Sequence, residues 1–379
     1  MTNSWTKKAL ALCAAMAAAT LSLTACGGSS DTLKIGMAIP TSGENAMYGE
    51  YMIKGAQLAV DEINAAGGLL GKQLEIKTSD SACEAGQATS AANDLVTEEI
   101  VVSMGGYCSG ATLPTIDIFS KANIPMIIPA ANSNSLVETP RDNVFLVNGV
   151  GSDQAKMGYD WTQKNGYKSL LVIDDKTDYS VGVSTYYQQF AKEAGATIDS
   201  ISLNPKEKDF SGQVAEILKH DSFYFTGYAE AAGLLIKQSL EAGYSGGILV
   251  ADGSVDVLTG STVGQPKASE VIYGTFSVTP DMIDDGGAFI STYKAKFGNE
   301  EPGPYVIQTY DSVKLWAQAV TEAGSVEMDA VDAVLHKIEY DGLTGPISFN
   351  ADGSRKKSPF VIVKVSEDNT FKLFDDMAS

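Results

Sequence analysis

The chain has 379 residues, of which 47 are Asp or Glu and 27 are Lys or Arg, so its formal net charge at pH 7 is −20. This acidic balance argues against a nucleic-acid-binding protein, which needs a clustered basic surface, and against docking on anionic lipid. With 44% hydrophobic and 20% charged residues the chain is globular, and its length allows two domains with separate cores. It has two histidines, so we expect no multi-histidine metal site, and the sequence predicts neither a metal nor a cofactor.

The first 25 residues have the pattern of a secretory signal peptide. Two lysines precede an apolar run over residues 9–23, which is too short to span a bilayer comfortably. The run ends in Leu-Thr-Ala-Cys at 23–26, which resembles the bacterial lipobox, where cleavage precedes a cysteine that becomes lipid-modified. We therefore expect a lipid anchor on Cys26 and a flexible tether over residues 26–31. Ordinary cleavage nearby would instead leave Cys26 as a free thiol.

Loss of the signal peptide changes the charge and the cysteine count. It removes Cys13 and leaves 25 basic against 47 acidic side chains, a net charge of −22. With Cys26 lipidated, Cys83 and Cys108 remain as an even pair in an oxidising compartment, which favours a disulfide. Such a bond would stabilise the fold by about 3–4 kcal/mol. Two buried free thiols are the alternative, and the lack of a Cys-x-x-Cys motif argues against a redox role.

From residue 32 onward, short apolar runs alternate with helical patterns, which is typical of parallel sheets covered by helices. The first series predicts strands at 33–39, 74–78, 101–104, 125–129 and 145–147, with helices at 49–66 and 88–98. A helix N-cap signal at 152–153 opens a second, similar series. This series predicts strands at 169–173, 197–203, 223–226, 248–251 and 271–277, with helices at 181–193 and 229–242. The remainder predicts helices at 286–297, 306–323 and 328–338, and strands at 360–365 and 370–374.

This order of elements predicts an α/β protein with two doubly wound lobes and a return segment. Ligands of such sheets bind at the carboxyl ends of the strands, so two of these edges could face one cleft. Loops with hydroxyl, aromatic and acidic residues follow the predicted strands at 40–49, 105–110, 129–135, 174–179, 227–228 and 252–253. Ser109 precedes a helix, where its amide and hydroxyl could hold a carboxylate.

The sequence has none of several catalytic motifs, which favours a binding protein over an enzyme. It contains no Gly-x-Ser-x-Gly elbow, no Walker loop, no Gly-x-Gly-x-x-Gly after a strand and no His-Glu-x-x-His. We interpret both histidines as structural. His220 follows a helix whose C-terminal dipole it could contact, and His336 lies among apolar residues on another helix.

Short motifs spread over essentially the whole mature chain together point to one family. They are Gly-Glu-Asn-Ala-Met-Tyr-Gly at 43–49, Gly-Ala at 55–56, Asp-Glu-Ile-Asn-Ala-Ala-Gly-Gly at 61–68, Cys83 with Cys108-Ser109, Pro-Ala-Ala at 129–131, Lys-Asp-Phe at 208–210, Gly-Tyr at 227–228, and Gly-Pro-Tyr at 303–305 with Thr-Tyr at 309–310. With these motifs the chain resembles the periplasmic leucine/isoleucine/valine-binding proteins, the substrate-binding components of branched-chain amino acid ABC transporters.

The resemblance implies the type I periplasmic binding protein fold, in which two Rossmann-like lobes joined by three crossing strands close on a ligand like a hinged trap. By position, lobe 1 would comprise residues 32–150 and 278–356, and lobe 2 residues 151–277 and 357–379. The resemblance also implies an extracytoplasmic protein that works with an ABC permease and its ATPase. We expect it to be a monomer.

The resemblance further implies the ligand contacts. Ser109 and Asn132 would bind the α-carboxylate of an amino acid, while the Ala130 carbonyl and the Asp252 carboxylate would receive its α-ammonium. The side-chain pocket would be walled by Tyr48, Tyr179, Tyr228 and Tyr305. The family also has a disulfide beside its binding serine, which matches Cys83 and Cys108.

Two positions depart from the family pattern, which commonly has Thr in place of Asn132 and Glu in place of Asp252. Because aspartate is one methylene shorter, the ammonium contact must move or pass through water. The residues predict a branched-chain or related aliphatic amino acid and leave its identity open. The alternative is a ligand-sensing module for another small amino acid, an amide or an aromatic acid, since receptor ectodomains share this fold. An enzyme is the third possibility.

Overall fold

The computed structural model describes residues 32–139, 141–283 and 286–374. The predicted signal peptide, Cys26 with its tether over 26–31, and residues 375–379 of the predicted lobe 2 lie outside the described residues. Within the described ranges, no helix combines the length and the apolar character that a membrane span requires.

The first sheet has five strands in the order β2-β1-β3-β4-β5. The β1–β3, β3–β4 and β4–β5 pairs are parallel. The strands are β1 (Thr32–Ile39), β2 (Gln73–Asp80), β3 (Val102–Ser103), β4 (Met126–Ile128) and β5 (Val144–Leu146). The helices between them are α1 (Ala46–Ala65), α2 (Ala85–Thr97), α3 (Ser109–Thr112) and α4 (Thr115–Lys121).

The second sheet has seven strands in the order β14-β13-β10-β9-β8-β6-β7. The run from β10 to β7 is parallel, and the last two strands add antiparallel pairs at the other edge. Its strands are β6 (Ser169–Asp174), β7 (Thr197–Ser202), β8 (Ser222–Phe225), β9 (Gly247–Val250), β10 (Ile272–Ser277), β13 (Phe360–Val365) and β14 (Phe371–Leu373). Its helices are α5 (Gly151–Lys164), α6 (Asp178–Glu193), α7 (Ser211–Ile217), α8 (Ala229–Glu241), α9 (Val257–Val263) and α10 (Lys267–Val271).

Burial explains why the central strands form where they do. β8 and β9 read SFYF and GILV, and all their residues are buried, as a parallel sheet covered on both faces requires. β7 reads TIDSIS and exposes every polar side chain, because it lies at the edge of the sheet and is covered on one face only.

The return segment packs beside the first sheet. It contains α11 (Gly286–Phe297), α12 (Val306–Ala323), α13 (Met328–Leu335) and the hairpin of β11 (Tyr340–Gly342) and β12 (Gly345–Ile347). α12 lies against α1, so closely that a Cβ on Gly55 would lie 2.2 Å from the Val306 carbonyl oxygen. The chain therefore passes between the two sheets three times: after β5, after β10 and before β13. The exact lobe boundaries remain a prediction.

A buried arginine connects the first of these passages to the β11–β12 hairpin. The Arg355 guanidinium is 3% exposed and donates to the Val147 carbonyl at 2.9 Å and the Thr344 carbonyl at 2.8 Å. Val147 follows β5, and Thr344 lies in the β11–β12 hairpin. Because an unpaired charge is costly to bury, these carbonyls fix the first passage against the hairpin.

The structure corrects some predicted boundaries. α5 begins at Gly151 with Val150 at its N-cap, so the predicted N-cap at 152–153 was wrong, and Asp153 lies in the first turn. A helix was predicted at Ser109, where α3 begins. The short helices α4, α9 and α10 were not predicted, because helices of five to seven residues are too short to show a helical period.

Asp332 on α13 predicts a pH dependence of stability. Its side chain is buried, and neither carboxylate oxygen has a hydrogen-bond partner among the described residues. Burial, with smaller contributions from Asp142 and Asp329, raises the pKa of Asp332 from 3.8 to about 8. Between these two values the folded chain binds more protons than the unfolded chain, so the free energy of unfolding falls as pH rises across this range.

We expect Asp332→Asn to remove this fall in the free energy of unfolding at high pH. The variant should raise the free energy of unfolding at pH 8 by about 1–3 kcal/mol and leave it close to the wild-type value near pH 4. Urea unfolding between pH 4 and pH 8 measures the difference. The matched control is Asp329→Asn, an exposed position on the same helix, which should lessen the slope only slightly, because Asp329 contributes less than burial to the raised pKa of Asp332. Parallel curves for wild type and Asp332→Asn would contradict the assignment.

Candidate ligand-binding site

Loops at the carboxyl ends of strands from both sheets meet at one small cavity. Its walls are Tyr107, Ala130, Asn132, Tyr179, Tyr228, Asp252, Gly253 and Tyr305. Six of the eight predicted ligand contacts are therefore brought together. The other two, Ser109 and Tyr48, lie next to cavity residues without lining the cavity themselves.

Asp252 is the charged group of this cavity. It lies in a short 3-10 turn after β9 and is 3% exposed. Its Oδ2 accepts hydrogen bonds from Asn132 Nδ2 at 3.1 Å and Asn148 Nδ2 at 3.0 Å, and its Oδ1 accepts from the Tyr179 hydroxyl. Burial raises its pKa despite these donors. In the part of the chain that the structure describes, the Asp252 carboxylate has no cationic partner.

One amide connects the two predicted ammonium acceptors. Asn148 Nδ2 donates to the Ala130 carbonyl at 2.9 Å as well as to Asp252 Oδ2, so both acceptors lie around the same nitrogen. Asn132 in turn donates to Gln154 Oε1 at 3.3 Å. Neither Asn148 nor Gln154 was predicted as a site residue. Asn148 follows β5 just as other predicted contacts follow their strands, so its position after a strand could have indicated that it belongs to the site.

Some acceptors around Asp252 are themselves unsatisfied. Asn132 Oδ1 and Asn148 Oδ1 are buried and have no hydrogen-bond partner within the described residues. The Tyr107 hydroxyl is also buried without a partner there. Buried polar atoms are nearly always hydrogen-bonded, and among the described residues these are the oxygens around Asp252 that lack a donor.

Tyrosine rings form the remaining walls. Tyr107 stacks on Tyr48 with ring centroids 4.7 Å apart and an interplanar angle of 11°. It also lies 5.6 Å from the Tyr305 ring and 5.8 Å from the Tyr228 ring, and Tyr228 contacts Tyr179 at 5.5 Å. Tyr107 therefore occupies the centre of the cage that was predicted without it, while Tyr48 supports it from behind.

Ser109 lies next to the cavity without lining it. It begins α3, and its buried hydroxyl accepts a hydrogen bond from the Ser133 amide at 3.2 Å. Cys108 precedes it and is joined to Cys83 by a disulfide, with Cα atoms 5.4 Å apart. The disulfide thus fixes the loop that carries both Tyr107 and Ser109. α3 has only four residues, so the predicted carboxylate contact Ser109 begins a helix of a single turn.

The cavity is closed around a very small space. Its volume is about 10 Å³, which is enough for about one water molecule. A wider cavity of about 440 Å³ lies beside it, lined by Tyr51, Asp256, Phe276 and other residues. Phe276 and Tyr305 form the wall between the two cavities, with ring centroids 5.4 Å apart. An amino acid can therefore bind at Asp252 only if the walls move apart.

Comparisons with known proteins agree with this geometry. A family model described as periplasmic binding protein matches residues 32–370. The leucine-, isoleucine-, valine-, threonine- and alanine-binding protein of Pseudomonas aeruginosa is 29% identical over 345 residues, which cover 90% of this chain and 91% of that protein.

Solved structures extend the comparison. The branched-chain amino acid transporter substrate-binding protein of Streptococcus pneumoniae, in complex with isoleucine, is 30% identical with a TM-score of 0.78, covering 90% of this chain and 98% of that one. A solute-binding protein of an ABC transporter from R. palustris, in complex with benzoate, has a TM-score of 0.81 at 20% identity, covering 90% and 95%. At that identity the second likeness shows the fold alone.

These findings confirm the predicted α/β fold as that of the type I periplasmic binding proteins. The relatives are solute-binding proteins of ABC transporters, so the chain is a binding protein and not an enzyme. It belongs to the periplasmic binding protein family, among the substrate-binding proteins of branched-chain amino acid ABC transporters.

Proposed function

We propose that the chain is an extracytoplasmic, lipid-anchored binding protein that captures a branched-chain or related aliphatic amino acid for an ABC permease and its ATPase. The observation that carries this proposal is the buried Asp252 carboxylate, which has neutral donors and, among the described residues, no cation beside it. An α-ammonium group would supply both the missing charge and the missing donors.

The acceptors around Asp252 suit an ammonium group, which has three N–H donors. The Asp252 carboxylate and the Ala130 carbonyl are close, since Asn148 Nδ2 contacts both. The unpaired Asn132 Oδ1 provides a third acceptor. The ligand carboxylate would then turn toward the loop with Ser109, whose hydroxyl accepts from the Ser133 amide and has an O–H of its own to donate.

The other walls favour an uncharged side chain on the ligand. Apart from Asp252, the lining consists of tyrosines, Ala130, Asn132 and Gly253. Tyrosine rings offer large apolar faces, and burial keeps the four phenols of the lining neutral by raising their pKa values. A branched aliphatic side chain can be buried there without an unpaired polar atom.

The mechanism that we propose is hinge closure between the two predicted lobes. Tyr107, Ala130 and Asn132 come from loops of the first sheet, while Tyr179, in the first turn of α6, and Asp252 come from the second. Because each group of loops is fixed to its own sheet, rotation about the three passages would open the site and leave each half intact.

A ligand panel tests the proposed function. We expect leucine, isoleucine or valine to raise the Tm, with a stabilisation of about 2.7 kcal/mol when the ligand concentration is 100 times its Kd. The matched control is 4-methylpentanoate, which is leucine without its ammonium group and should bind roughly 30-fold more weakly or not at all. Thermal shift and calorimetry measure both. Stabilisation by benzoate and by none of the twenty amino acids would overturn the proposal in favour of an aromatic acid.

Substitution of Asp252 tests its assigned role. Asp252→Asn should weaken binding of the preferred amino acid about 30-fold or more, while the free energy of unfolding without ligand stays equal or rises, because a buried unpaired charge is removed. The control is Asp256→Asn on the same loop, which is equally buried but bonds to the Leu258 amide and should keep its affinity. Equal affinities in both variants would refute the role of Asp252.

The lipid anchor has its own test. We expect wild-type chain expressed in its host to fractionate with membranes, and Cys26→Ser to appear in the soluble extracytoplasmic fraction with unchanged ligand affinity. The control is Cys13→Ser, which lies in the predicted signal peptide and should leave anchoring intact. Membrane association of Cys26→Ser would show that another segment holds the protein there.

A further inference from the structure

A second polar cluster lies at the far edge of the second sheet. Asp199 is on the edge strand β7, Glu216 is on α7, and His220 follows α7. His220 Nε2 lies 3.6 Å from Asp199 Oδ2 and 3.7 Å from Glu216 Oε1. Ser169, which contacts the same imidazole, begins β6, so the cluster lies about 17 Å along that strand from the end that faces the ligand cavity.

The imidazole is fixed in orientation and one of its nitrogens lacks a partner. The His220 side chain is 4% exposed, and Nδ1 lies 3.0 Å from Ser169 Oγ. Nε2 is buried and has no hydrogen-bond partner among the described residues. In the tautomer in which Nδ1–H donates to Ser169 Oγ, the Nε2 lone pair faces two carboxylate oxygens. Three acceptors then meet, and no described residue donates between them.

The separations fit a shared metal ion better than a shared proton. A hydrogen bond from Nε2–H to either oxygen would need a donor–acceptor distance of about 2.7–3.2 Å, which both separations exceed. Two ligands that each lie about 2.1 Å from one zinc ion are about 3.4 Å apart in tetrahedral coordination, close to the observed 3.6 and 3.7 Å.

The surroundings leave room for the ion. Lys219 pairs with Glu216 Oε2 at 2.6 Å, which leaves Oε1 directed at His220. The Asp199 side chain is 62% exposed, so a fourth position is open to water, as at zinc sites with three protein ligands. We propose that Asp199, Glu216 and His220 bind a divalent transition-metal ion such as zinc, which fastens the edge strand β7 to α7.

Zinc titration of the chain without a histidine tag tests this site. We expect zinc to raise the Tm, and EDTA to reverse the rise. Because the chain has two histidines, the ¹⁵N signals of His220 should shift while those of His336 stay unchanged. The titration is repeated with Cys26→Ser, since a free thiol would bind zinc on its own.

Variants separate the ligands from their surroundings. His220→Gln and the exposed Asp199→Asn should each abolish the zinc-dependent rise in Tm, and Ser169→Ala should weaken zinc binding about tenfold by releasing the imidazole. His336→Gln is the matched control and should bind zinc as the wild type does. If His220→Gln does not fold, Asp199→Asn decides the question.

Two results would overturn the proposal. One is unchanged zinc affinity in Asp199→Asn. The other is a wild-type chain whose Tm zinc leaves unchanged, because the cluster would then bind no metal ion.

Discussion

The buried charge of Asp252 is the constraint on which the site depends. A carboxylate away from water is costly unless donors surround it, and here those donors come from separate parts of the chain. Asn132 follows β4, Asn148 follows β5, and Tyr179 lies on α6 beside the second sheet. One side chain of the second sheet therefore holds loops of the first sheet in place.

The same interaction explains how a ligand could control closure. Asn132 and Asn148 each give an N–H to Asp252 while their own oxygens stay unpaired. These donors satisfy the carboxylate's hydrogen bonds but leave its charge uncompensated, and burial raises its pKa. An ammonium group would compensate the charge and also donate to the unpaired oxygens. Closure over an amino acid would then be more favourable than closure over empty space, which a substrate-binding protein requires.

Most of the fold was predictable because its central strands are buried on both faces and its main helices are long enough to show a helical period. Apolar runs such as GILV at β9 predict buried strands, and the loops that follow them can then be located as well. The unpredicted parts depend on contacts between residues distant in sequence. Tyr107 was within a loop that the sequence singles out, but only packing shows that its ring contacts Tyr48, Tyr228 and Tyr305.

The cluster at His220 shows the same limit. From sequence this histidine follows a helix and suggests only a dipole contact. Glu216 lies four residues before it, a spacing that a helix pairs routinely, while Asp199 comes from a neighbouring strand and has no fixed sequence relation to it. The sequence alone therefore does not indicate a metal site at His220, because only the folded chain brings Asp199 next to it.

The short side chain of Asp252 also constrains how a ligand could bind. Its carboxylate is one methylene closer to the backbone than that of a glutamate would be, and Asn148 bridges Asp252 and the Ala130 carbonyl. An ammonium group at this position must either share these acceptors with the Asn148 amide or displace it. Since Asn148 is fully buried, displacement would cost a hydrogen bond without solvent to replace it. Sharing would be the less costly arrangement, and it would place the ammonium group of the proposed ligand on the Asn132 side of Asp252, where Oδ1 has no partner among the described residues.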